Sequence, residues 1–312
     1  MAFDLDGLRE AVARHDRVVR VVVADLRGSS PREVGAAMLV WPSGQSGTIG
    51  GGALEFQAVR EARQQRAASR LSRHALGPDL GQCCGGSVVL LSEVYTARRL
   101  AGIAGDVVAR PVADDPAMPL SVKRLLAAAR GQGVLPDAQL RDGWMIEPVQ
   151  RPDRQLWIWG AGHVGRALVG VLAPLPEFAI TWVDTGPGRF PPDVPAGVTV
   201  VPAAEPGALV AHAPARAEHL ILTYSHALDL DLCHRLLGHG FAFAGLIGSA
   251  TKRARFRSRL AALGHAPDRI DRIACPIGDP GLGKHPQAIA LGVAADLLHN
   301  PPGQARREDK RA

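Results

Sequence analysis

The chain has 312 residues, enough for two domains that each bury a core. Hydrophobic residues make up 46% and charged residues 21%, which excludes wholesale disorder, collagen-like repeats and a coiled coil. The net charge of +6 is spread thinly, with +2 in residues 1–150 and +4 in residues 151–312. Nucleic-acid binding requires a concentrated basic stripe, so we expect no nucleic-acid partner.

The sequence predicts a cytoplasmic protein with no membrane partner. No apolar run reaches the roughly 18 residues of a membrane span. Asp4 and Asp6 stand where an export signal carries positive charge. In a cytosolic chain the four cysteines do not form a disulfide framework. Cys233 and Cys275 lie in a predicted helix and at a strand end, and we expect both in the core.

The first half is typical of a small α/β domain that ends near residue 105. Apolar spacing of helical period and β-branched runs predict its elements. They are a helix over 5–16, strands over 18–26 and 36–41, a hairpin loop over 43–47, a helix over about 54–73 and a strand over 87–95. Residues 106–150 are rich in proline, with a short helix around 120–130 and a strand near 143–148. We interpret them as an interdomain connector.

The second half alternates strands and helices, which predicts a doubly wound parallel sheet over residues 151–302. A polar tail follows over residues 303–312. The predicted strands are 156–159, 180–184, 198–201, 220–223, 242–247 and 272–275. The fold class is therefore α/β, with a small N-terminal α/β domain followed by a Rossmann-like doubly wound parallel-sheet domain.

Residues 160–165 read GAGHVG between a predicted strand and a predicted helix. Gly160, Gly162 and Gly165 match the dinucleotide fingerprint, in which glycines allow a tight turn and close approach of a pyrophosphate. Asp184 ends the next strand, where an acid binds a ribose hydroxyl. His163 is an unusual residue within the loop. We expect a Rossmann-like fold. Two alternatives stay open for this loop: it binds a dinucleotide such as NAD(P), or its glycines serve only the turn and no dinucleotide binds.

Residues 48–55 read TIGGGALE at a strand-to-helix junction. Without Cβ atoms, Gly50, Gly51 and Gly52 allow backbone amides to approach a ligand, and the helix N-terminus favours an anion. A plain turn needs one such glycine, so three in a row favour a binding loop.

A second loop, QCCGGS over residues 82–87, carries adjacent thiols at Cys83 and Cys84. Thiolates are nucleophiles and soft metal ligands. We expect at least one functional thiol here, against the alternative of a cysteine buried as a small apolar residue.

Other polar loops follow the strands of the second half, where ligands bind in such sheets. Ser225 is a plausible N-cap. His226, Asp229 and Asp231 are candidate metal ligands, although a polar helix start is the favoured interpretation. The basic run 252–259 is interpreted as a solvated helix face.

Taken together, the motifs resemble the XdhC/CoxI family, whose members are accessory proteins for molybdenum hydroxylases such as xanthine dehydrogenase, and the chain is most similar to the XdhC branch. The matching segments are 28–32 (GSSPR), 47–55 (GTIGGGALE), 81–86 (GQCCGG), 159–165 (WGAGHVG), 223–229 (TYSHALD), 245–249 (GLIGS) and 275–278 (CPIG). They run in order along most of the chain, and only the connector is unmatched.

The resemblance implies a chaperone rather than an enzyme. Proteins of this family bind molybdenum cofactor, a phosphorylated pterin dithiolene. They hold it while a cysteine desulfurase exchanges an oxo ligand for sulfido, and they insert it into the apo-hydroxylase. The implied partners are apo xanthine dehydrogenase, a cysteine desulfurase and molybdenum cofactor biosynthesis proteins. The oligomeric state stays open, with a homodimer as the commonest outcome for an oligomer.

Candidate cofactor-binding residues follow from the motifs, with Arg32 expected to pair with the phosphate and Cys83 or Cys84 to face molybdenum or its sulfido ligand. No catalytic residue is assigned. An NAD(P)- or flavin-dependent oxidoreductase is the alternative function. The full set is Arg32, Gly50, Gly51, Gly52, Glu55, Gln82, Cys83, Cys84, Gly85, Gly160, Gly162, His163, Gly165 and Asp184.

Overall fold

A computed structural model describes residues 1–77, 85–112 and 117–301. The chain divides into two compact units, Met1–Gln150 and Arg151–Ala312, here called unit 1 and unit 2. In the described ranges, no helix combines the length and apolar character needed to cross a membrane. The predicted polar tail, residues 303–312, lies outside the described residues.

Unit 1 is built on a five-stranded antiparallel sheet in the order β3-β2-β1-β5-β4. Helix α2 covers one face and buries Leu54, Ala58 and Ala62 against apolar residues of β1 and β2. The elements that form this part of unit 1 are α1 (Leu5–His15), β1 (Val18–Arg27), β2 (Ala37–Trp41), β3 (Gly44–Gly47), α2 (Gly52–Gln64), β4 (Ser69–Ala75), β5 (Ser87–Tyr95) and α3 (Ala97–Leu100).

Two sequence predictions in this unit were wrong. Residues 54–73 do not form one helix, because α2 ends at Gln64 and β4 follows. The side chain of Gln65 donates to the carbonyl oxygens of Ala67 and Ser92, which fixes the turn, and β4 then pairs along its length with β5. This long-range pairing overrides local helix propensity. The predicted hairpin loop over 43–47 contains the strand β3.

Residues 106–150, interpreted from the sequence as a connector, lie within unit 1. They form a second antiparallel sheet in the order β6-β8-β7, with α4 beside it. The predicted helix and the predicted strand near 143–148 are present as α4 and β8. The elements are β6 (Val107–Pro111), α4 (Leu120–Gln132), β7 (Gln139–Arg141) and β8 (Trp144–Pro148).

A buried charge network joins the two sheets of unit 1. Arg20 of β1 donates to both carboxylate oxygens of Glu147 of β8, at 3.0 and 2.7 Å. Arg110 of β6 bridges Glu147, at 2.5 Å, and Glu93 of β5, at 2.6 Å. Burial raises the pKa of a carboxyl group, but the charges of Arg20 and Arg110 outweigh it, so the pKa of Glu147 is lowered.

Unit 2 contains a six-stranded parallel sheet in the order β11-β10-β9-β12-β13-β14. This is the doubly wound order of the Rossmann fold. The strands are β9 (Arg154–Trp159), β10 (Phe178–Asp184), β11 (Thr199–Pro202), β12 (Glu218–Ile221), β13 (Phe243–Leu246) and β14 (Ile273–Ala274). All six predicted strands are present within a few residues, which confirms the predicted fold class.

Helices cover both faces of this sheet, as a doubly wound fold requires. One core contains Leu232 and Phe256, from α6 and α7. The opposite core contains Leu168 and Val293, from α5 and α9. The helices are α5 (His163–Leu172), α6 (His226–His239), α7 (Ala250–Ala262), α8 (Pro267–Ile270) and α9 (Pro286–His299). Cys233 and Cys275 are buried, as predicted.

Candidate functional site

Three motif loops of unit 1 lie in contact at one end of its main sheet. They are residues 28–32 after β1, residues 48–52 leading into α2 and residues 85–86 before β5, here called the glycine-loop cluster. A Cβ on Gly86 would lie 2.3 Å from the carbonyl oxygen of Ser29, and one on Gly50 would lie 2.6 Å from Cγ of Pro31. The pairing of Arg27 with Ser87 places two of the loops side by side.

Glu55 occupies the amides that the sequence assigned to an external anion. Its Oε2 accepts hydrogen bonds from the hydroxyl of Thr48 at 2.6 Å and from the amides of Ile49 and Gly51, both at 3.1 Å. Gln45 donates to its Oε1 at 3.1 Å. Burial raises the pKa of Glu55, but these hydrogen bonds outweigh it and lower the pKa. The loop therefore binds the chain's own carboxylate.

The three consecutive glycines are explained by the path of this loop. Gly50, Gly51 and Gly52 have φ of +123°, +76° and +66°, a region that side chains rarely adopt. The turn directs the amides of Ile49 and Gly51 toward Glu55, the fourth residue of α2. The glycines thus have a structural role, and a direct contact with a ligand stays a prediction.

Arg32 is the positive charge of the glycine-loop cluster. Its side chain is 28% exposed and its Nη1 lies 3.4 Å from the carbonyl oxygen of Thr48. Its ion pair with Glu33 is long, at 3.5 Å. Gly85 is exposed, with open space where a Cβ would be. Gln82, Cys83 and Cys84 lie outside the described residues.

In unit 2 the three fingerprint glycines have distinct roles. A Cβ on Gly160 would lie 2.4 Å from the carbonyl oxygen of Leu222, and one on Gly165 would lie 2.0 Å from that of Gly160. Gly162 is the N-cap of α5 and has open space around it. Exposed His163 is the first residue of α5. The loop geometry therefore fits the close approach of a phosphate at Gly162.

Asp184 does not present a carboxylate for a ribose diol. Its side chain is 2% exposed. Its oxygens accept from the amides of Ala161 and Thr185, both at 2.6 Å, from the Thr185 hydroxyl at 3.1 Å and from Nε of Arg189 at 3.4 Å. Oδ1 takes three of these contacts and Oδ2 takes one, so most of the roughly four acceptor positions of the carboxylate are used within the unit. In this respect the residues do not fit the ribose contact of NAD.

A largely buried ion pair between Lys252 and Asp229, at the carboxyl ends of β12 and β13, was not predicted from the sequence. Nζ of Lys252 donates to Asp229 at 2.6 Å and to the carbonyl oxygen of Ile247 at 2.8 Å. The other oxygen of Asp229 accepts from the hydroxyl of Thr223 at 2.7 Å. A Cβ on Gly248 would lie 2.6 Å from Cδ of Lys252, so a larger residue at position 248 would collide with the lysine side chain.

These contacts decide between the two interpretations of residues 225–231. Ser225 caps α6 through its hydroxyl, which accepts from the amide of Leu228 at 3.4 Å. Asp229 is used by Lys252, and Asp231 pairs with Arg235 at 2.9 Å. Across the ranges that the structure describes, no group of three or more His, Cys, Asp or Glu side chains could hold a metal ion. The segment is a polar helix start, as favoured.

Comparisons with known proteins agree with the order of the motifs. A model of the XdhC and CoxI family matches residues 11–75, and a model of the XdhC Rossmann domain matches residues 156–297. Together they match well over half of the chain. The chain belongs to the XdhC and CoxI family. The family resemblance stated from the motifs is therefore confirmed.

Two relatives of this XdhC/CoxI-family protein extend across both units. The protein YqeB of Escherichia coli (strain K12), described as uncharacterized, is 27% identical over 298 residues. The match covers 90% of this chain but only 43% of YqeB, so the chain spans less than half the length of that relative. A crystal structure from Bacillus halodurans, described as a xanthine dehydrogenase, has a TM-score of 0.69 at 21% identity and covers 95% of each chain. It shows that the fold is shared over both units.

Proposed function

We propose that this XdhC/CoxI-family protein is a non-catalytic carrier of molybdenum cofactor in the maturation of xanthine dehydrogenase or a related molybdenum hydroxylase. Family membership supports the maturation role. The observation that carries the carrier function is the glycine-loop cluster, because three separate family motifs meet there in unit 1. Such a convergence is typical of a binding site built from loops.

Molybdenum cofactor carries a phosphate, and the glycine-loop cluster contains two groups that can bind a phosphate, an arginine side chain and the N-terminus of a helix. The side chain of Arg32 lies beside the loop before α2, with Nη1 3.4 Å from the carbonyl oxygen of Thr48, and it can pair with a phosphate through two N–H groups. Gly52 and Ala53 are exposed in the first turn of α2, where backbone N–H groups have no intrahelical acceptor. Glu55 already fills the amides of Ile49 and Gly51. We therefore place the phosphate beside Arg32 and the first turn of α2, with Glu55 shaping the loop.

The thiols of Cys83 and Cys84 are proposed to face molybdenum or its sulfido ligand while a cysteine desulfurase exchanges an oxo ligand for sulfido. Gln82 and Gly85 flank the two cysteines in the sequence. The thiols either ligate the cofactor or relay sulfur. Single replacements by Ala distinguish these roles, since loss of bound cofactor indicates ligation, whereas loss of sulfuration with retained cofactor indicates relay.

The proposed partners are apo xanthine dehydrogenase, the cysteine desulfurase and molybdenum cofactor biosynthesis proteins, all in the cytoplasm, with a homodimer as the proposed assembly. The alternative, an oxidoreductase using NAD(P) or a flavin, is favoured by the strand order of unit 2 and by the open position at Gly162. The burial of Asp184 disfavours it, because its carboxylate accepts hydrogen bonds from amides of its own unit and is only 2% exposed to a ribose.

Replacement of Arg32 tests the site separately from the fold. Arg32→Ala is loaded anaerobically with cofactor released from a donor enzyme, desalted, and assayed for molybdenum and pterin and for activation of apo xanthine dehydrogenase. We expect retention to fall about tenfold, as for loss of a charge-assisted phosphate pair. Arg60→Ala, which removes an exposed arginine of α2, is the matched control and retains cofactor. Equal retention by both variants would remove Arg32 from the site.

A further inference from the structure

Unit 2 has a groove beside the motif segment 223–229 that the proposed carrier function does not use. It opens beside the loops that follow β10, β11 and β12 and has a volume of about 360 Å³. That volume is within the range of about 300–1,000 Å³ that small-molecule pockets occupy. Thr185, Glu205, Tyr224 and Ser225 line it from the three loops, and the Asp231–Arg235 ion pair closes one side. These loops stand at the carboxyl edge of the sheet, where ligands of doubly wound folds bind.

The groove carries an unused hydrogen-bond acceptor beside an exposed aromatic ring. Glu205 precedes the 3-10 turn Pro206–His212 but makes no side-chain cap, and no partner of its carboxylate is present in the described ranges. A carboxylate accepts readily from the exocyclic amino group of a base. Tyr224 is 66% exposed, and an exposed aromatic side chain suits stacking against a flat heterocycle.

A cation stands next to that ring. The guanidinium of Arg189 lies 4.8 Å from the centre of the Tyr224 ring and its side chain is 42% exposed. Its Nε makes the 3.4 Å contact with Asp184, whereas its two terminal nitrogens have no hydrogen bond within the residues that the structure describes. Two parallel N–H groups on a planar fork match the oxygens of a phosphate.

We propose that this groove binds a nucleotide whose base is adenine or cytosine and whose phosphate monoester pairs with Arg189. Glu205 accepts from the amino group of the base, Tyr224 stacks on it, and Arg189 takes the place that a ribose-binding acid has in NAD enzymes. The proposal concerns unit 2 alone and does not depend on molybdenum cofactor binding at the glycine-loop cluster.

The proposal is tested by isothermal titration calorimetry, which measures the affinity of the full chain for AMP, 2′,5′-ADP, CMP, IMP and UMP. IMP and UMP replace the amino group of AMP and CMP by an oxygen. We expect at least one amino-bearing nucleotide to bind about fivefold or more tightly than its oxo counterpart, and Glu205→Gln to abolish that preference. Tighter binding of 2′,5′-ADP than of AMP would indicate that Arg189 pairs with a phosphate on the ribose 2′ position. Tighter binding of AMP would indicate that it pairs with the 5′-phosphate.

Arg189→Ala is expected to weaken binding about tenfold, while Arg216→Ala, which removes another exposed arginine of unit 2, changes it less than about twofold. Tyr224→Ala is a second variant for the case that Arg189→Ala is unstable in thermal unfolding, and it should weaken binding of every probe. Absence of binding by AMP, 2′,5′-ADP and CMP at millimolar concentration overturns the proposal. The proposal is also overturned if amino-bearing and oxo-bearing nucleotides bind with equal affinity. It is overturned as well if Arg189→Ala weakens binding no more than Arg216→Ala does.

Discussion

Glu55 is the residue whose role differs most from its sequence-based interpretation. The TIGGGALE motif was expected to cradle an anion, and the anion in the structure is the carboxylate of its own helix. A carboxylate near a helix N-terminus is favoured by the helix dipole as well as by its hydrogen bonds. Sequence alone does not reveal such self-occupation, because the contact depends on the three positive φ angles that fold the loop back.

Glu55→Gln should therefore lower the free energy of unfolding by about 1–2 kcal/mol at pH 7, since charge-assisted hydrogen bonds become neutral ones. Urea unfolding measures the difference. Glu10→Gln, which removes an exposed ion pair with Arg14, is the control and should change stability by less than about 0.5 kcal/mol. Equal effects of the two variants would show that the hydrogen bonds of Glu55 contribute little.

Glu147 lies at the centre of the buried network of unit 1, with a fully buried side chain between Arg20 and Arg110. Glu147→Gln removes the counter-charge of buried Arg20 and leaves Arg110 with Glu93 alone, and we expect a loss of about 3–5 kcal/mol in urea unfolding at pH 7. A loss no larger than that of Glu10→Gln would contradict this account.

The same carboxylate gives unit 1 a predicted acid sensitivity. The pKa of Glu147 is lowered in the folded state from its ordinary value of 4.5, so the unfolded state binds the proton more readily. Its stabilisation is present above pH 4.5 and is lost as the pH falls through the lowered pKa. The stability difference between wild type and Glu147→Gln should therefore shrink on acidification. A constant difference from pH 7 to pH 3 would contradict the assignment.

At the scale of elements, the parallel sheet of unit 2 was predictable and parts of unit 1 were not. Buried parallel strands are continuous apolar runs, which the sequence displays at all six positions. Strand β4 is an edge strand with exposed Arg70, Leu71 and Arg73. It therefore has no apolar run typical of a buried strand, and its sequence predicts a continuation of α2. Strands β6 and β7 are short, and long-range pairing with β8 defines them.

The fingerprint loop of unit 2 yields an element-scale prediction. Gly165→Ala puts a methyl group 2.0 Å from the carbonyl oxygen of Gly160, so α5 must move away from the turn. We expect a loss of about 1–3 kcal/mol or more in urea unfolding. Gly162→Ala is the matched control, because φ is −71° and there is open space, and it should cost less than about 1 kcal/mol. A larger loss for Gly162→Ala than for Gly165→Ala would show that the loop packs differently.

At the scale of the whole molecule, the order of motifs along the chain was more informative than any one motif. That order led to the family, and the family models match in both halves. The structure brings Arg32 and the glycine loops together, whereas the carboxylates of Glu55 and Asp184 accept hydrogen bonds from amides of their own units. Cofactor binding by these residues stays a prediction. Lys252 and Asp229 were missed as a pair because 23 residues separate them in sequence.

Cofactor stoichiometry tests the central claim most directly. The wild-type protein, purified anaerobically, is incubated with molybdenum cofactor released from a donor enzyme, desalted, and analysed for molybdenum and pterin per chain, with NAD(H) and FAD binding measured in parallel. The carrier function predicts stoichiometric molybdenum and pterin without redox turnover. Tight binding of a nicotinamide or flavin dinucleotide with no retained molybdenum would contradict it and would favour an oxidoreductase.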